Sequence, residues 1–237
     1  MKKFSLLFTI LISFCAKSQE IKANFNAEVK VQKSLSYIFD YPKATKEKLP
    51  LIVFLHGAGE RGTDLERVKA NGVFKYKELL NEPVAILAPQ CPDNMWWDTE
   101  AIFHLINHIK KYYKIDESRI YLTGLSMGGW GTLKLAMEHP DMFAAVAAVC
   151  APTDRVMNAN IHNFKDMNIK LFHGGMDDIV LPENAFNFYQ KLHPINPKAE
   201  LIIFPNDNHN SWDSTYSNPK LYEWMFAQKL NTNSTKK

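Results

Sequence analysis

The chain has 237 residues, of which 46% are hydrophobic, 12% aromatic and 22% charged, and its formal net charge is +3. These proportions exclude a collagen-like, low-complexity or mostly disordered chain. Because no linker-like or charge-rich block divides the middle of the sequence, we predict one globular domain with a sizeable core.

The first 18 residues have the pattern of a secretory signal peptide. Two lysines precede the apolar run 4–14, and Ala16 and Ser18 fit a small-x-small cleavage site, which predicts a cut after Ser18. The apolar run is too short to span a bilayer, which takes ~20 residues. Cys15 leaves a lipoprotein anchor as an alternative, but bulky Phe14 stands before it, where a small residue is expected. We therefore expect an exported protein, either periplasmic or secreted.

The positive net charge belongs to this leader. Removing Lys2, Lys3 and Lys17 leaves 25 basic residues against 25 acidic ones in residues 19–237. Since no basic surplus or stripe remains, we expect neither nucleic acid nor an anionic membrane surface as a partner. The remaining chain is expected to be one soluble domain over 19–237, whose polar tail begins at about residue 231. The sequence leaves the oligomeric state open.

From residue 51 onward, short apolar runs alternate with longer amphipathic ones. This pattern predicts an α/β fold with a mostly parallel central sheet and helices on both faces. The first two predicted strands are expected to form an antiparallel pair ahead of that sheet. In chain order, the predicted strands are 27–31, 36–41, 51–55, 84–88, 120–123, 144–149, 169–172 and 201–204, and the predicted helices are 102–113, 128–138, 183–192 and 219–230.

The sequence Gly124-Leu125-Ser126-Met127-Gly128 lies between a predicted strand and a predicted helix. A G-x-S-x-G pattern in this context predicts a nucleophile elbow, whose sharp turn leaves little space for side chains beside the serine. Such a turn lifts the Ser126 hydroxyl clear of the sheet and places the Met127 N–H where an oxyanion would form. A glycine-rich turn without chemistry is the alternative interpretation.

A serine nucleophile needs a general base, and the base needs an acid to orient it. His209 stands in a polar loop after the last predicted strand, and Asp177 and Asp178 follow the strand before it. The chain order Ser, Asp, His and the acid loop resemble the α/β-hydrolase superfamily, whose acid loop often reads G-x-x-D-x-x-V-P. This chain departs from that pattern by Leu181, which is inserted before Pro182. Aligned on Gly174 and Val180, Asp177 is the acid that this resemblance implies and His209 is the base. Asp178 is interpreted as a helix or turn cap.

The loop at 56–59 reads HGAG, and small residues there let backbone N–H groups approach a developing negative charge. The superfamily uses such an HG-x-G turn. The resemblance therefore implies Ala58 or Gly59 as one oxyanion donor, together with Met127.

The wider resemblance is to small secreted esterases near the dienelactone hydrolases and the feruloyl and acetyl-xylan esterases, a group with prolyl-oligopeptidase-like members. It implies a single-domain α/β-hydrolase without a cap domain that cleaves carboxylic esters through an acyl-enzyme. Dienelactone hydrolases proper use a cysteine nucleophile, and this chain departs from them with Ser126. The motifs that carry the resemblance are HGAGERG at 56–62, APQCP at 88–92, Trp97, RIYLTGLSMGG at 119–129, HGGMDDIV at 173–180 and HNSW at 209–212.

Trp97 and Trp212 are predicted to line the substrate site, where they would offer a stacking wall to an aromatic acyl group or a sugar ring. The expected substrates are small-molecule or oligosaccharide esters, such as acetyl or feruloyl esters of plant polysaccharide fragments. A serine peptidase of the prolyl-oligopeptidase-like type and a non-catalytic carbohydrate-binding relative are the alternatives. The predicted chemistry needs no cofactor and no metal.

Cys91 and Cys150 follow two predicted strands that are separated by two others in the superfamily's strand order. Three inter-strand steps put the two cysteines about 14 Å apart. A disulfide needs Cα atoms within ~7 Å of each other. We therefore predict free, buried thiols.

Overall fold

The computed structural model describes residues 22–42 and 47–230. The predicted leader, its cleavage site and Cys15 lie outside the described residues, as does the polar tail from residue 231. Residues 22–32 carry no helix or strand, and all the helices and strands of the described part lie within 33–230. No helix in the described part of the chain is long and apolar enough to cross a membrane.

Within residues 33–230, seven strands form one sheet in the order β1-β3-β2-β4-β5-β6-β7. β1 is antiparallel to β3, and the other neighbouring strands are parallel. The predicted α/β fold with a mostly parallel sheet is therefore confirmed. The strands are β1 (Tyr37–Asp40), β2 (Leu49–Leu55), β3 (Ala85–Pro89), β4 (Ile115–Leu125), β5 (Ala145–Val149), β6 (Ile169–Gly174) and β7 (Glu200–Phe204).

The helices lie between and after these strands, and most begin and end within a few residues of the predicted positions. α1 and the last helix show the largest shifts, since α1 begins before residue 102 and the last helix ends before residue 230. The helices are α1 (Thr99–Tyr112), α2 (Met127–Glu138), α3 (Arg155–Ala159), α4 (Glu183–Leu192), α5 (Trp212–Tyr216) and α6 (Pro219–Phe226), and the 3₁₀ turns are Ala58–Glu60, Leu65–Lys69, Gly72–Phe74, Lys77–Leu79 and Ile161–Phe164.

The strand predicted at 27–31 is wrong. Residues 22–32 form no strand, and the side chains of Val29 and Val31 are exposed. β1 instead pairs with β3, with Tyr37 opposite Pro89. An alternating apolar pattern expresses only a local preference, which context overrides because a strand needs a neighbour to accept its backbone hydrogen bonds.

β2 shows how the sheet is covered on both faces. All its residues are buried, and alternate side chains belong to two separate apolar clusters. Leu51 and Leu55 pack with α1, α2 and α4 on one face, whereas Ile52 and Phe54 pack with α5, α6 and the 3₁₀ turn at 72–74 on the other. Burying one such side chain stabilises the fold by about 1.5–3 kcal/mol. Apolar packing on both faces therefore holds the sheet in place, and the loops at its carboxyl edge extend from this packed core.

The two cysteines are both buried and free, as predicted. Cys91 follows β3 and Cys150 follows β5, and β2 and β4 lie between those strands. Burial raises the pKa of the Cys91 thiol to about 11. A thiol that stays protonated at neutral pH is a poor nucleophile, so Cys91 packs as a small apolar side chain.

Candidate active site

The turn between β4 and α2 holds Ser126 in a strained backbone conformation. Ser126 has φ 53° and ψ −118°, a region that residues with a side chain rarely adopt. Its N–H donates to the Val149 carbonyl oxygen at 2.9 Å, which fixes the turn to β5. Such strain costs about 1–3 kcal/mol and persists only where the surrounding structure holds it. The Ser126 side chain is thereby set at the carboxyl edge of the sheet.

Position 128 must be glycine, because the backbone at the end of β2 lies so close to its Cα that no Cβ fits. A Cβ at this position would lie 1.9 Å from the Leu55 carbonyl oxygen and 2.5 Å from that of His56. We expect Gly128→Ala to lower the free energy of unfolding by at least about 3 kcal/mol, because the clash outweighs the ~1 kcal/mol that alanine gains in a helix. Urea unfolding followed by circular dichroism measures this change.

The matched control for this substitution is Gly59→Ala. A Cβ at Gly59 meets nothing within 4 Å, so its midpoint of urea unfolding is expected to stay near that of the wild type. If Gly128→Ala were as stable as Gly59→Ala, the elbow would not be as tightly closed as the structure shows.

His209 bridges Ser126 and Asp177. Its Nε2 lies 2.9 Å from the Ser126 Oγ, and its Nδ1 lies 2.9 Å from Oδ2 of Asp177. Asp177 is buried, whereas His209 and Ser126 are half-buried and reach the surface. The structure thus brings together the three side chains that the sequence predicts as nucleophile, base and acid. This order of contacts lets His209 accept a proton from Ser126 while its other nitrogen stays protonated and donates to Asp177.

Of the two neighbouring acids, Asp177 contacts His209, and the exposed Asp178 does not. The cap predicted for Asp178 is wrong. Asp177 closes the turn itself, because its Oδ1 accepts the N–H groups of Ile179 at 3.0 Å and Val180 at 2.9 Å. The two oxygens of this carboxylate therefore act separately, since Oδ1 closes the loop and Oδ2 faces the histidine.

His173, on β6, has no role in the sequence-based prediction, yet it contacts the same carboxylate. Its Nε2 lies 3.1 Å from Oδ2 of Asp177 and 2.7 Å from the Val180 carbonyl oxygen, and the residue is fully buried. The spacing of four residues between His173 and Asp177 in one tight loop is the signal in the sequence that could have indicated this contact.

The predicted oxyanion donors lie at the start of α2 and in the loop after β2. Met127 is the first residue of α2, where backbone N–H groups have no acceptor within the helix. Ala58 and Gly59 lie in a 3₁₀ turn whose carbonyl groups accept from two arginines, since Arg61 Nε donates to the Ala58 oxygen at 3.1 Å and Arg67 Nη2 donates to the Gly59 oxygen. The contact to the Ala58 oxygen fixes the orientation of the peptide group that carries the Gly59 N–H, which is one of the predicted donors.

The imidazole of His56 stabilises this loop through two hydrogen bonds. Its Nε2 accepts the Cys91 N–H at 3.0 Å, so its Nδ1 carries the proton and donates to the Gly57 carbonyl oxygen at 2.6 Å. Burial lowers the pKa of His56 from its ordinary value. The imidazole therefore stays neutral and keeps this donor and acceptor pattern at neutral pH.

The two predicted substrate tryptophans have different environments. Trp97 is only 3% exposed, and its Nε1–H donates to the His56 carbonyl oxygen at 3.3 Å. The prediction that Trp97 contacts the substrate is wrong, because its ring is buried in the core beside the loop at 56–59. Trp212 is half-buried, and its ring lies edge-on to His209 with 5.4 Å between ring centres. The exposed Trp96 packs on Trp130.

In the range that the structure describes, no group of three or more His, Cys, Asp or Glu side chains is arranged to hold a metal ion. The arrangement at the carboxyl edge consists of a serine hydroxyl, an imidazole, a carboxylate and backbone N–H groups. These groups can carry out nucleophilic acyl transfer.

The sequence profile of the phospholipase/carboxylesterase family matches residues 94–218, which is more than half of the chain and includes the elbow and the acid and base loops. The chain belongs to this family. This chain is an esterase-type α/β-hydrolase, and the predicted superfamily resemblance is confirmed.

The solved structure of a thermostable esterase is 35% identical to this carboxylesterase-family chain, with a TM-score of 0.75 over 82% of this chain and 59% of the other. The bifunctional acetylxylan esterase/xylanase XynS20E of Neocallimastix patriciarum is 34% identical over 131 residues, which is 54% of this chain and 18% of the relative. Dipeptidyl peptidase family member 1 of Caenorhabditis elegans is 26% identical over 133 residues, which is 47% of this chain and 16% of the relative. The chain thus spans less than a fifth of the length of both curated relatives.

Proposed function

We propose that this protein hydrolyses carboxylic esters through an acyl-enzyme formed on Ser126. The observation that carries the proposal is the pair of 2.9 Å contacts that link the Ser126 hydroxyl through His209 to the Asp177 carboxylate. Family membership supports the same reaction class, since an esterase needs an activated nucleophile and an oxyanion site.

In the proposed reaction, Ser126 Oγ attacks the ester carbonyl carbon while its proton passes to Nε2 of His209. The carbonyl oxygen becomes an oxyanion that the N–H groups of Met127 and of Ala58 or Gly59 stabilise. Collapse of this intermediate breaks the bond to the alkoxy group, which takes the proton from His209 and leaves as an alcohol.

Water then completes the turnover. His209 takes a proton from the water as the hydroxide attacks the acyl carbon. When the second intermediate collapses, the bond to Ser126 Oγ breaks, Oγ takes the proton back from His209, and a carboxylic acid is released. Asp177 stabilises the imidazolium in both halves through Nδ1–H. Removing a single oxyanion donor from such a site costs about 10²–10³ in kcat.

The proposed substrates are acetyl or feruloyl esters of plant polysaccharide fragments. The similarity to a bifunctional acetylxylan esterase/xylanase supports a plant polysaccharide as the alcohol part of the ester. The half-buried ring of Trp212 beside His209 offers a face on which a sugar or an aromatic acyl group could stack. The signal-like leader supports an exported enzyme that meets such substrates outside the cytoplasm.

The second candidate function is peptide hydrolysis by the same three residues. The similarity to a dipeptidyl peptidase favours it. Amide bonds are harder to break because the amine must be protonated as it leaves, so a site with only this machinery is expected to turn over activated and simple esters first.

The test uses the purified wild-type protein with nitrophenyl acetate, nitrophenyl butyrate, methyl ferulate and acetylated xylan, and with an Ala-Pro nitroanilide for the peptidase. Turnover of esters with a preference for acetyl or feruloyl groups is the expected result. Turnover of the nitroanilide alone would favour the peptidase. Absence of all turnover, in a protein whose Ser126 still reacts with a fluorophosphonate, would mean that the ester assignment is wrong.

A further inference from the structure

His173 lies outside the chain of contacts that runs from Ser126 to Asp177, yet it is fully buried against the last member of that chain. One ring nitrogen, Nε2, lies within hydrogen-bond distance of two oxygens, Oδ2 of Asp177 at 3.1 Å and the carbonyl oxygen of Val180 at 2.7 Å. The other nitrogen, Nδ1, has no hydrogen-bond partner among the described residues. A buried polar ring with this asymmetry needs an explanation.

The asymmetry decides where the proton of His173 resides. Both oxygens near Nε2 are acceptors, so a lone pair there would be repelled, whereas an N–H can donate to both. A proton on Nδ1 would be a buried donor without an acceptor, which costs about 1–3 kcal/mol. The small cavity of about 10 Å³ that the ring borders is lined by the apolar side chains of Leu133, Leu171 and Phe188, which offer no acceptor. The contacts therefore place the proton of the ring on Nε2.

We propose that His173 is a positioning residue that holds the Asp177 carboxylate toward His209. Its Nε2–H donates to Oδ2 of Asp177 and to the Val180 carbonyl, which ties both ends of the acid loop to β6. The carboxylate is then surrounded by four donors, since Oδ1 accepts the N–H groups of Ile179 and Val180 and Oδ2 accepts from His209 and His173.

This arrangement shares the charge of one carboxylate between two imidazoles. The titratable groups around it are His209, His173 and the buried thiol of Cys150, whose pKa is raised mainly by burial and also by Asp177. A second donor on Oδ2 fixes the direction in which this oxygen faces Nδ1 of His209. Without His173, the Asp177 carboxylate turns more easily.

The inference rests on the proposed function, and its test uses two replacements of His173. His173→Leu keeps the ring's apolar volume but has no donor, whereas the amide nitrogen of His173→Gln can reach the place of Nε2. For His173→Leu we expect kcat for nitrophenyl acetate to fall about 10- to 100-fold with KM within about twofold. For His173→Gln we expect rescue to within about threefold of the wild type.

The glutamine variant separates positioning from a purely structural role. A structural role would lower kcat in both variants in step with their melting temperatures. Equal loss of kcat in the folded Leu and Gln variants, or a loss that appears in KM instead of kcat, would overturn the inference.

Two measurements keep the test independent of ester turnover and of variant folding. The rate of Ser126 labelling by a fluorophosphonate, in which Oγ displaces fluoride from phosphorus, should show the same ranking of wild type, Gln and Leu even if no ester is a substrate. Long-range ¹H–¹⁵N NMR of the wild-type protein should find His173 as the Nε2–H tautomer. The Nδ1–H tautomer would contradict the inference.

Discussion

Replacing Ser126 by alanine is expected to lower kcat/KM for nitrophenyl acetate by about 10⁴- to 10⁶-fold. The substitution removes the only group that the structure places 2.9 Å from Nε2 of His209 within the described residues. Attack by water in place of the serine leaves only the oxyanion donors and substrate binding to lower the barrier. Initial rates of nitrophenol release by equal concentrations of both proteins measure the difference.

The control for Ser126→Ala is Ser217→Ala, which removes an exposed hydroxyl after α5 and should leave the rate unchanged. Circular dichroism should show both variants folded, and alanine at 126 should be at least as stable as the wild type, because it keeps the turn with a smaller side chain. A loss of less than about tenfold in folded Ser126→Ala would mean that another group attacks the ester, and the acyl-enzyme on Ser126 would have to be abandoned.

The sequence predicts the contact between Ser126, Asp177 and His209 because parallel strands end at the same edge of a sheet. Ser126 follows β4, Asp177 follows β6 and His209 follows β7. The three loops are therefore expected to converge at one edge of the sheet, whatever their individual conformations. The G-x-S-x-G pattern further specifies the elbow, since a close approach that admits no Cβ can only be made by glycine.

The environments of Trp97 and His173 could not be predicted in this way. Trp97 is buried because α2 presents a glycine, Gly131, to its ring, and a Cβ there would lie 2.8 Å from it. That contact joins distant parts of the chain, and the local sequence shows only an aromatic residue in a loop. His173 sits within an apolar strand pattern, and its partner is set by how the Asp177 turn folds back onto β6.

Conversion of Asp177 to asparagine is expected to lower kcat by about 10⁴-fold with little change in KM. The carboxylate accepts Nδ1–H of His209 at 2.9 Å and so keeps Nε2 free to accept the serine proton. An amide can turn its NH₂ group toward Nδ1 instead, which moves the imidazole proton to Nε2. The histidine then donates to Ser126 and no longer accepts from it, and the lost charge leaves the imidazolium unstabilised.

Asp178→Asn is the matched control, because it makes the same chemical change one residue away, at an exposed side chain that does not contact His209. Its kcat and KM for nitrophenyl acetate should stay within about twofold of the wild type, since an exposed charge contributes little at this distance. Comparing the two variants tests directly whether Asp177 or Asp178 is the acid that orients His209. If Asp178→Asn lost activity and Asp177→Asn kept it, the acid loop would have to turn its neighbouring carboxylate inward during catalysis, and the hydrogen bonds that close the loop on Oδ1 of Asp177 would have to break in every turnover.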